Sequence, residues 1–488
     1  MQKVFADTRT LDADARKKYS ITEEVMMENA ASALEKEVLE FLAGCSTPKP
    51  VVLIVTGTGN NGGDGYALAR RLCGKTLSDG RKINVCIFAP KPPKTEIAVF
   101  QKETAVKTGV SFVNTLENTN PDVLVDCFLG SGLSGKLTQD AENLIKRLNE
   151  IKAFKIACDV PSGLSAESDT FFIADKTVTM GALKTQLFCE NGKDSAGTVV
   201  CADLGISRDC FELSDSAVQP EAYLLEKADL LLPHREKNNV NKGTFGHLAV
   251  WGGEKRGATV IASKAAFAFG TGLVTVVDNA NNGSFTVPED ILCSNTVPSN
   301  ISAVAAGMGL GAFCDTAVSY LCANPKVPCV IDADLCHSVK LPELLFARKN
   351  LANTVLTPHP KEFADVLEIC GFGKYVVEQV QQNRIGLAKK FCDKYPDVVL
   401  ILKGAVPVIA AFKDGAPVVY LNPWGRPCLA KGGSGDVLSG LVGALLAQGY
   451  DALKAAQSAS LAHALASCKV ECDYAMTPFE LIECVKKL

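Results

Sequence analysis

Residues 430–441 read A-K-G-G-S-G-D-V-L-S-G-L, and their types suit one kind of chemistry. Small residues let successive backbone N–H groups converge on a point, and a helix N-terminus beyond them adds a partial positive charge, so an anion fits there. Asp436 stands at the turn into the helix. A carboxylate beside an anion site makes sense when it takes a proton from a hydroxyl while the amides hold a phosphate. The same residues also fit a plainer arrangement, a glycine-rich loop in which Asp436 caps a helix.

Other clusters share that half of the chain. K-G-T-F-G (242–246) precedes an apolar run and G-G-E-K-R-G-A (252–258) follows it. A-G-M-G-L-G (306–311) is a second glycine-rich turn, T-P-H-P-K-E (357–362) follows a strand end, and Lys403-Gly404-Ala405 ends another. His359 stands between prolines in a loop, an unusual place for a core histidine. Asp332 and Asp334 have the spacing of a metal-binding pair but read as strand-end turn residues. In the first half, Asn60, Asn61 and Asp64 follow one strand, Asp126 with G-S-G-L-S-G (130–135) follows another, and Asp159 with Pro161, Ser162 and Gly163 follows a third. Ligands of open α/β sheets bind at such strand ends. Asn61, Asp126 and Ser162 offer oxygen ligands to one monovalent or soft divalent cation. Asp159 is the best-placed general acid/base of the set. The turn G-T-G-N-N-G-G-D-G is not G-x-G-x-x-G, so an ordinary dehydrogenase site is not expected.

The elements that must position these residues alternate. A helix is expected over 21–42, with Ser20 and Glu23 at capping-box spacing. The run 51–55 reads as a buried parallel strand, followed by the glycine-rich turn 56–65 and a helix containing 66–72. Further strands are expected at 84–89, 122–128, 155–160, 177–180 and 198–202, which gives an α/β domain with a largely parallel, Rossmann-like sheet. The pattern breaks at 205–221, and the boundary is set between domains 1–214 and 215–488. A second α/β series follows. Its strands are expected at 247–251, 273–277, 327–332, 354–356 and 398–403, with a hairpin at 408–412/418–421 across Asp414-Gly415. Its helices are expected at 259–269, 361–367, 376–394, 435–446, 452–468 and 477–487.

The 488 residues exceed one ordinary core. With 47% apolar and 21% charged residues the composition is that of a soluble globular protein, and a net charge of −4 without a basic patch points away from nucleic acid. The charged first residues do not form a signal peptide, and no apolar run is long enough to span a membrane. Nineteen cysteines, mostly single within apolar runs and without a C-x-x-C pair, fit buried reduced thiols in a cytoplasmic protein.

M-E-N-A-A (27–31), G-N-N-G-G-D-G-Y-A-L-A-R (59–70), D-C-F-L-G-S-G (126–132), D-V-P-S-G (159–163) and G-A-L-K (181–184) resemble the NAD(P)H-hydrate epimerases. K-G-T-F-G-H (242–247), G-M-G-L-G (307–311), T-P-H-P-K-E (357–362), L-K-G-A (402–405) and G-S-G-D-V-L-S-G (433–440) resemble the ADP/ATP-dependent hydrate dehydratases, relatives of the ribokinase-like kinases. Together and in this order they resemble the bifunctional NAD(P)H-hydrate repair family over nearly the whole chain. That resemblance implies a Rossmann-like epimerase domain followed by a ribokinase-like dehydratase domain. The first would interconvert R- and S-NAD(P)HX. The second would dehydrate the S form to NAD(P)H at the expense of ADP, placed ahead of ATP.

By the family's pattern, Asn60, Asn61, Gly62, Gly63, Asp64, Gly130, Ser131, Gly132, Leu133, Ser134, Gly135, Lys136 and Asp159 would bind the hydrated nucleotide. Asn61, Asp126 and Ser162 would hold a potassium ion. Ala258, Gly309, His359 and Asp436 would face the hydrate in the second site. Lys403, Gly404, Ala405, Val406, Pro407 and Gly435 would contact ADP or ATP, bound with magnesium. NADHX, NADPHX and the adenine nucleotide are the expected partners, with a homo-oligomer and neither nucleic acid nor membrane. Met308 stands where proline is expected. A competing reading is a ribokinase-like small-metabolite kinase fused to a Rossmann-like binding module. Those kinases often carry Asn-x-x-Glu where this chain has His359-Pro-Lys-Glu362. A third is that one half is catalytically silent.

Overall fold

The computed structural model describes residues 1–488 except 118, 133–134, 166–167, 189, 214–217 and 279–286, together with the side chain of residue 190. Two compact units form, Lys3–Glu221 and Ala222–Leu488 with Met1–Gln2.

The first unit is built on strands Val51–Thr56 (β1), Asn84–Phe88 (β2), Ser111–Val113 (β3), Val123–Cys127 (β4), Phe154–Cys158 (β5), Lys176–Met180 (β6) and Thr198–Ala202 (β7). They lie in the order β3-β2-β1-β4-β5-β6-β7, each pair parallel. Buried on both faces, β1 and β4 read as continuous apolar runs because neither face meets water. The order reverses between β1 and β4, which opens a crevice at their C-terminal ends.

Two expectations need correction here. The helix foreseen at 21–42 is Glu23–Gly44 (α1), capped by Thr22, whose hydroxyl accepts the Val25 N–H at 3.4 Å. Ser20 instead sits at φ 55° and terminates an earlier helix, Arg9–Tyr19, that is too polar to show a clear apolar stripe. The glycine-rich turn is shorter than expected, because the helix Asn60–Leu72 (α2) starts inside it. Gly65 allows that: a Cβ there would lie 2.8 Å from the Cys127 Cβ, so α2 sits tightly on β4. Tyr66, Leu68 and Leu72 of α2 pack with Leu34, Val52, Ile54 and Val125. Burying one such side chain contributes about 1.5–3 kcal/mol, and Leu68→Ala would cost roughly 2–5 kcal/mol.

The second unit carries His247–Trp251 (β8), Leu273–Val277 (β9), Leu292–Ser294 (β10), Ala303–Ala306 (β11), Cys329–Ile331 (β12), Thr354–Leu356 (β13), Val398–Leu402 (β14), Val408–Lys413 (β15) and Ala416–Leu421 (β16). Their order is β10-β9-β8-β11-β12-β13-β14-β15-β16, after which Ala222–Leu224 pairs with β16. The sheet is parallel from β10 to β14 and antiparallel through β14-β15-β16. The hairpin turns at Asp414 and Gly415, both at positive φ, as a two-residue loop between twisted strands requires.

The helices that matter for the site are Arg256–Ala268 (α3), Pro360–Ile369 (α4), Arg384–Lys394 (α5), Ser434–Ala447 (α6) and Ala452–Ser467 (α7). The single helix expected at 376–394 is broken at Asn383 into Val377–Gln382 and α5. The break turns the buried Arg384 guanidinium toward the Val406, Leu402 and Lys403 carbonyl oxygens, to which it donates at 2.8, 2.8 and 3.1 Å. Almost every residue of α6 is buried, and it packs on α3 so closely that a Cβ on Gly440 would meet the Ala262 carbonyl at 2.3 Å.

Candidate active sites

In the first unit, Asp126 ends β4 with no solvent exposure. Its carboxylate accepts the Ser162 hydroxyl at 2.6 Å, the Ser162 N–H at 2.8 Å and the Phe128 N–H at 3.1 Å. Burial outweighs these donors and pushes its pKa up to about 6. At the start of α2, both polar atoms of the Asn61 side chain are buried without a hydrogen-bond partner. A Cβ on Gly130 would lie 3.2 Å from that side chain, so Gly130 leaves the amide room. A buried amide normally finds partners, so these two atoms are suited to meeting a ligand.

Asp159 follows β5 in left-handed backbone, φ 68°. Its carboxylate is paired with the buried Lys184 ammonium at 2.7 Å and accepts the Ser131 and Met180 N–H groups at 3.2 and 3.3 Å. Burial works against its charge, but Lys184 and these amides outweigh it and hold the carboxyl below its usual range. Asp64 goes the other way: burial, with Asp159 nearby, raises it well above the usual carboxylate value. Asp12, on the helix Arg9–Tyr19, is raised to about 6, chiefly by burial. Asp12, Asp64, Asn60 and Met180 line one cavity of about 300 Å³.

The other expected nucleotide-binding residues divide. Ser131 joins Asp159. Gly62 and Gly63 are buried in α2 where a Cβ would strike the Gly57 carbonyl and Met27. Gly132, Gly135 and Lys136 are exposed, and Leu133 and Ser134 lie outside the described residues. Sequence reasoning assigned no role to Lys184, although G-A-L-K at a strand end was its signal. It also passed over Asp12, which sits in a stretch that looked merely charged.

In the second unit, Gly433 caps α6 at φ 91°, and Asp436 occupies the first turn. Burial first, then the Asp332 charge, raises the Asp436 pKa to about 6, against the lowering effect of Lys403. Lys403, just past β14, reaches this helix end: its ammonium lies 3.5 Å from where a Cβ on Gly435 would be. It is held by Asp332 Oδ1 at 2.8 Å and by Glu362 Oε2 at 3.7 Å. Asp332 Oδ2 in turn accepts the Ser439 hydroxyl of α6 at 2.6 Å. Asp332 is therefore an ion-pair partner, more than a turn residue, while Asp334 accepts the Gly311 N–H at 2.9 Å.

His359 caps α4, its Nδ1 accepting the Glu362 N–H at 3.1 Å, with the ring about half exposed. Ala258 and Gly309 meet each other, a Cβ on Gly309 lying 3.4 Å from that of Ala258. Gly404, Ala405, Val406 and Pro407 form the turn between β14 and β15 that Arg384 braces. Two supports escaped the sequence reading, Arg384 and His463. His463 is buried on α7, contacts the Ser434 carbonyl at 2.9 Å, and is lowered to about 4 by burial, hence neutral.

The family model for NAD(P)H-hydrate dehydratase matches residues 248–487, and that for the YjeF-related protein N-terminus matches 23–186. The bifunctional NAD(P)H-hydrate repair enzyme Nnr of Helicobacter pylori is 38% identical over 501 residues, covering all of both chains. This chain belongs to the bifunctional NAD(P)H-hydrate repair enzymes. The Coxiella burnetii enzyme is 32% identical over 85% of each chain. Among solved structures, the ADP/ATP-dependent NAD(P)H-hydrate dehydratase of Bacillus subtilis, co-crystallised with ATP and magnesium, aligns with 55% of this chain and 97% of its own at 24% identity and a TM-score of 0.46. As a member of the family the chain is an epimerase and a dehydratase of hydrated nicotinamide cofactors. Among the described residues no helix is long and apolar enough to cross a membrane.

Proposed function

We propose that dehydration proceeds at the start of α6, within residues 215–488, and epimerisation in the crevice beyond β1, β4 and β5, within residues 1–214. The observation that supports the first assignment is a half-buried carboxyl, Asp436, raised to about 6 in the first turn of a helix with a fixed ammonium beside it. Asp436 takes the proton of the C6 hydroxyl. The C6 oxygen attacks the terminal phosphorus of ADP or ATP, and the bridging P–O bond breaks to release AMP or ADP. First-turn amides from Gly433 to Gly435, which lack intrahelical acceptors, meet the phosphoryl oxygens. The C6–O bond then breaks, phosphate leaves with its electron pair, and loss of a C5 proton restores the C5–C6 double bond. ADP is taken as the donor. Lys403, Gly404, Ala405, Val406, Pro407 and Gly435 hold the nucleotide, and Ala258, Gly309 and His359 face the hydrate. Among the described residues no cluster of three or more His, Cys, Asp or Glu side chains is set up for a metal, so magnesium would come bound to the nucleotide's phosphates and water.

In the crevice, the unpartnered Asn61 amide oxygen, Asp126 and Ser162 form a donor set suited to potassium, whose bound charge would favour the anionic nucleotide. Asp159, kept ionised by Lys184, takes the C6-hydroxyl proton. The C6–N1 bond opens to an aldehyde while the ring nitrogen gains the proton of Asp64, and reclosure on the other face gives the other epimer. Two carboxyls pushed in opposite directions are what such an exchange needs. Supplying the R epimer with and without ADP, and following reduced-nicotinamide absorbance, tests both halves. Asn61→Leu with Asp159→Asn should leave the R form unrepaired while the S form is still repaired.

A further inference from the structure

The surroundings of Lys403 are out of proportion to the role of one nucleotide contact among several. Its ammonium is gripped from two sides, by Asp332 at the end of β12 and by Glu362 in the first turn of α4. Asp332 is 2% exposed, and its second oxygen is tied to Ser439 on α6, one turn beyond Asp436. The ammonium is thereby fixed to the same helix that carries the base, beside Gly435 in its first turn. A lysine that only gripped a ground-state phosphate could do so from a flexible stem. Burying a second charge beneath it is justified where the cation must stay put while charge redistributes, since preorganised groups act most strongly on charge that develops in the transition state.

We infer that Lys403 is the cation that meets the phosphoryl group in transfer and that Asp332, anchored by Ser439, is the positioning residue that holds it there. This rests on the reading of α6 as the phosphoryl-transfer site. As the phosphoryl group moves to the C6 oxygen, the proton goes to Asp436 and the electron pair of the broken P–O bond goes to the departing nucleotide. Lys403 keeps its proton throughout and serves as fixed charge. Asp332 touches neither substrate and acts only through Lys403.

The test is a double-mutant cycle on dehydration of the S epimer by ADP in the full chain. Lys403→Met should lower kcat about 10²-fold or more. Asp332→Asn should lower kcat about 10-fold while the KM for ADP stays level or falls, because the released ammonium still binds phosphate. In the Lys403→Met background the added Asp332→Asn change should cost less than about 3-fold, since there is nothing left to position. Penalties that multiply, or an Asp332→Asn variant with normal kcat, overturn the inference. If Asp332→Asn does not fold, Ser439→Ala should show the same kcat-only loss in smaller measure, and a wild-type kcat there overturns the anchoring. Asp436→Asn is run beside the cycle. If that variant stays active the reading of the base fails, whereas the coupling between positions 332 and 403 is scored independently.

Discussion

Replacing Lys184 with Met is a severe test of the first site, because Lys184 is 2% exposed and Asp159 would lose its ion-pair partner at 2.7 Å. Removing one member of a buried pair costs about 3–5 kcal/mol. The stranded carboxyl can instead take a proton, and doing so at pH 7 from an ordinary carboxylate pKa costs about 4 kcal/mol, so the two routes agree. For a unit of this size each kcal/mol moves the melting temperature by about 2–4 °C, so a drop of about 6–20 °C is expected. The folded pKa of Asp159 is depressed, so its contribution is present above the unfolded value and is lost as pH falls through the folded one. The gap between wild type and variant should accordingly be widest near neutral pH and close below about pH 4. Calorimetry of the full chain across that range reads the unfolding transition of the first unit, and epimerisation assayed alongside should fall at least about 10²-fold. A shift of less than about 2 °C at neutral pH, with a normal epimerisation rate, refutes the reasoning.

Asn61→Leu should abolish any acceleration of epimerisation by potassium over sodium or a bulky organic cation, and a variant that keeps the full potassium response contradicts the donor set. Gly433→Ala places a Cβ 2.5 Å from Pro478 in backbone at φ 91°, so thermal unfolding should show a loss of about 1–3 kcal/mol and the KM for ADP should rise. The Asp436 pKa of about 6 predicts that dehydration falls on the acid side of that pH, read from kcat/KM between pH 5 and 8. Because that folded pKa is raised, the proton-bound form stabilises the fold at low pH and the effect is lost as pH rises through about 6, so Asp436→Asn should melt higher than wild type above it.

Most strands of both sheets were legible because parallel strands buried on two faces leave continuous apolar runs, as in β1, β4 and β14, whereas the short strands β3, β10 and β11 were not foreseen. The hairpin was legible because Asp414-Gly415 can hardly be anything else. What the sequence hid was long-range. The break at Asn383 serves Arg384, whose acceptors at 402–406 lie across the fold. Asp332 looked like a turn residue because Lys403 and Ser439, which define it, stand 71 and 107 residues away. The helix Arg9–Tyr19 was hidden by its own polarity, since it buries only Leu11 and Ala15. Asp436 was recognised from its loop, but its pKa is raised first by burial and then by the charges of Asp332 and Glu362, against the pull of Lys403, none of them local.

If two chemistries run at two separate carboxylates, Asp436→Asn will part them. The variant should be given the separated R and S hydrates with ADP, with epimer ratio and reduced-nicotinamide absorbance followed together. Full interconversion of the epimers and no recovery of the reduced cofactor are expected. Recovery from the S form at near the wild-type rate, or loss of epimerisation in the same variant, would contradict that separation.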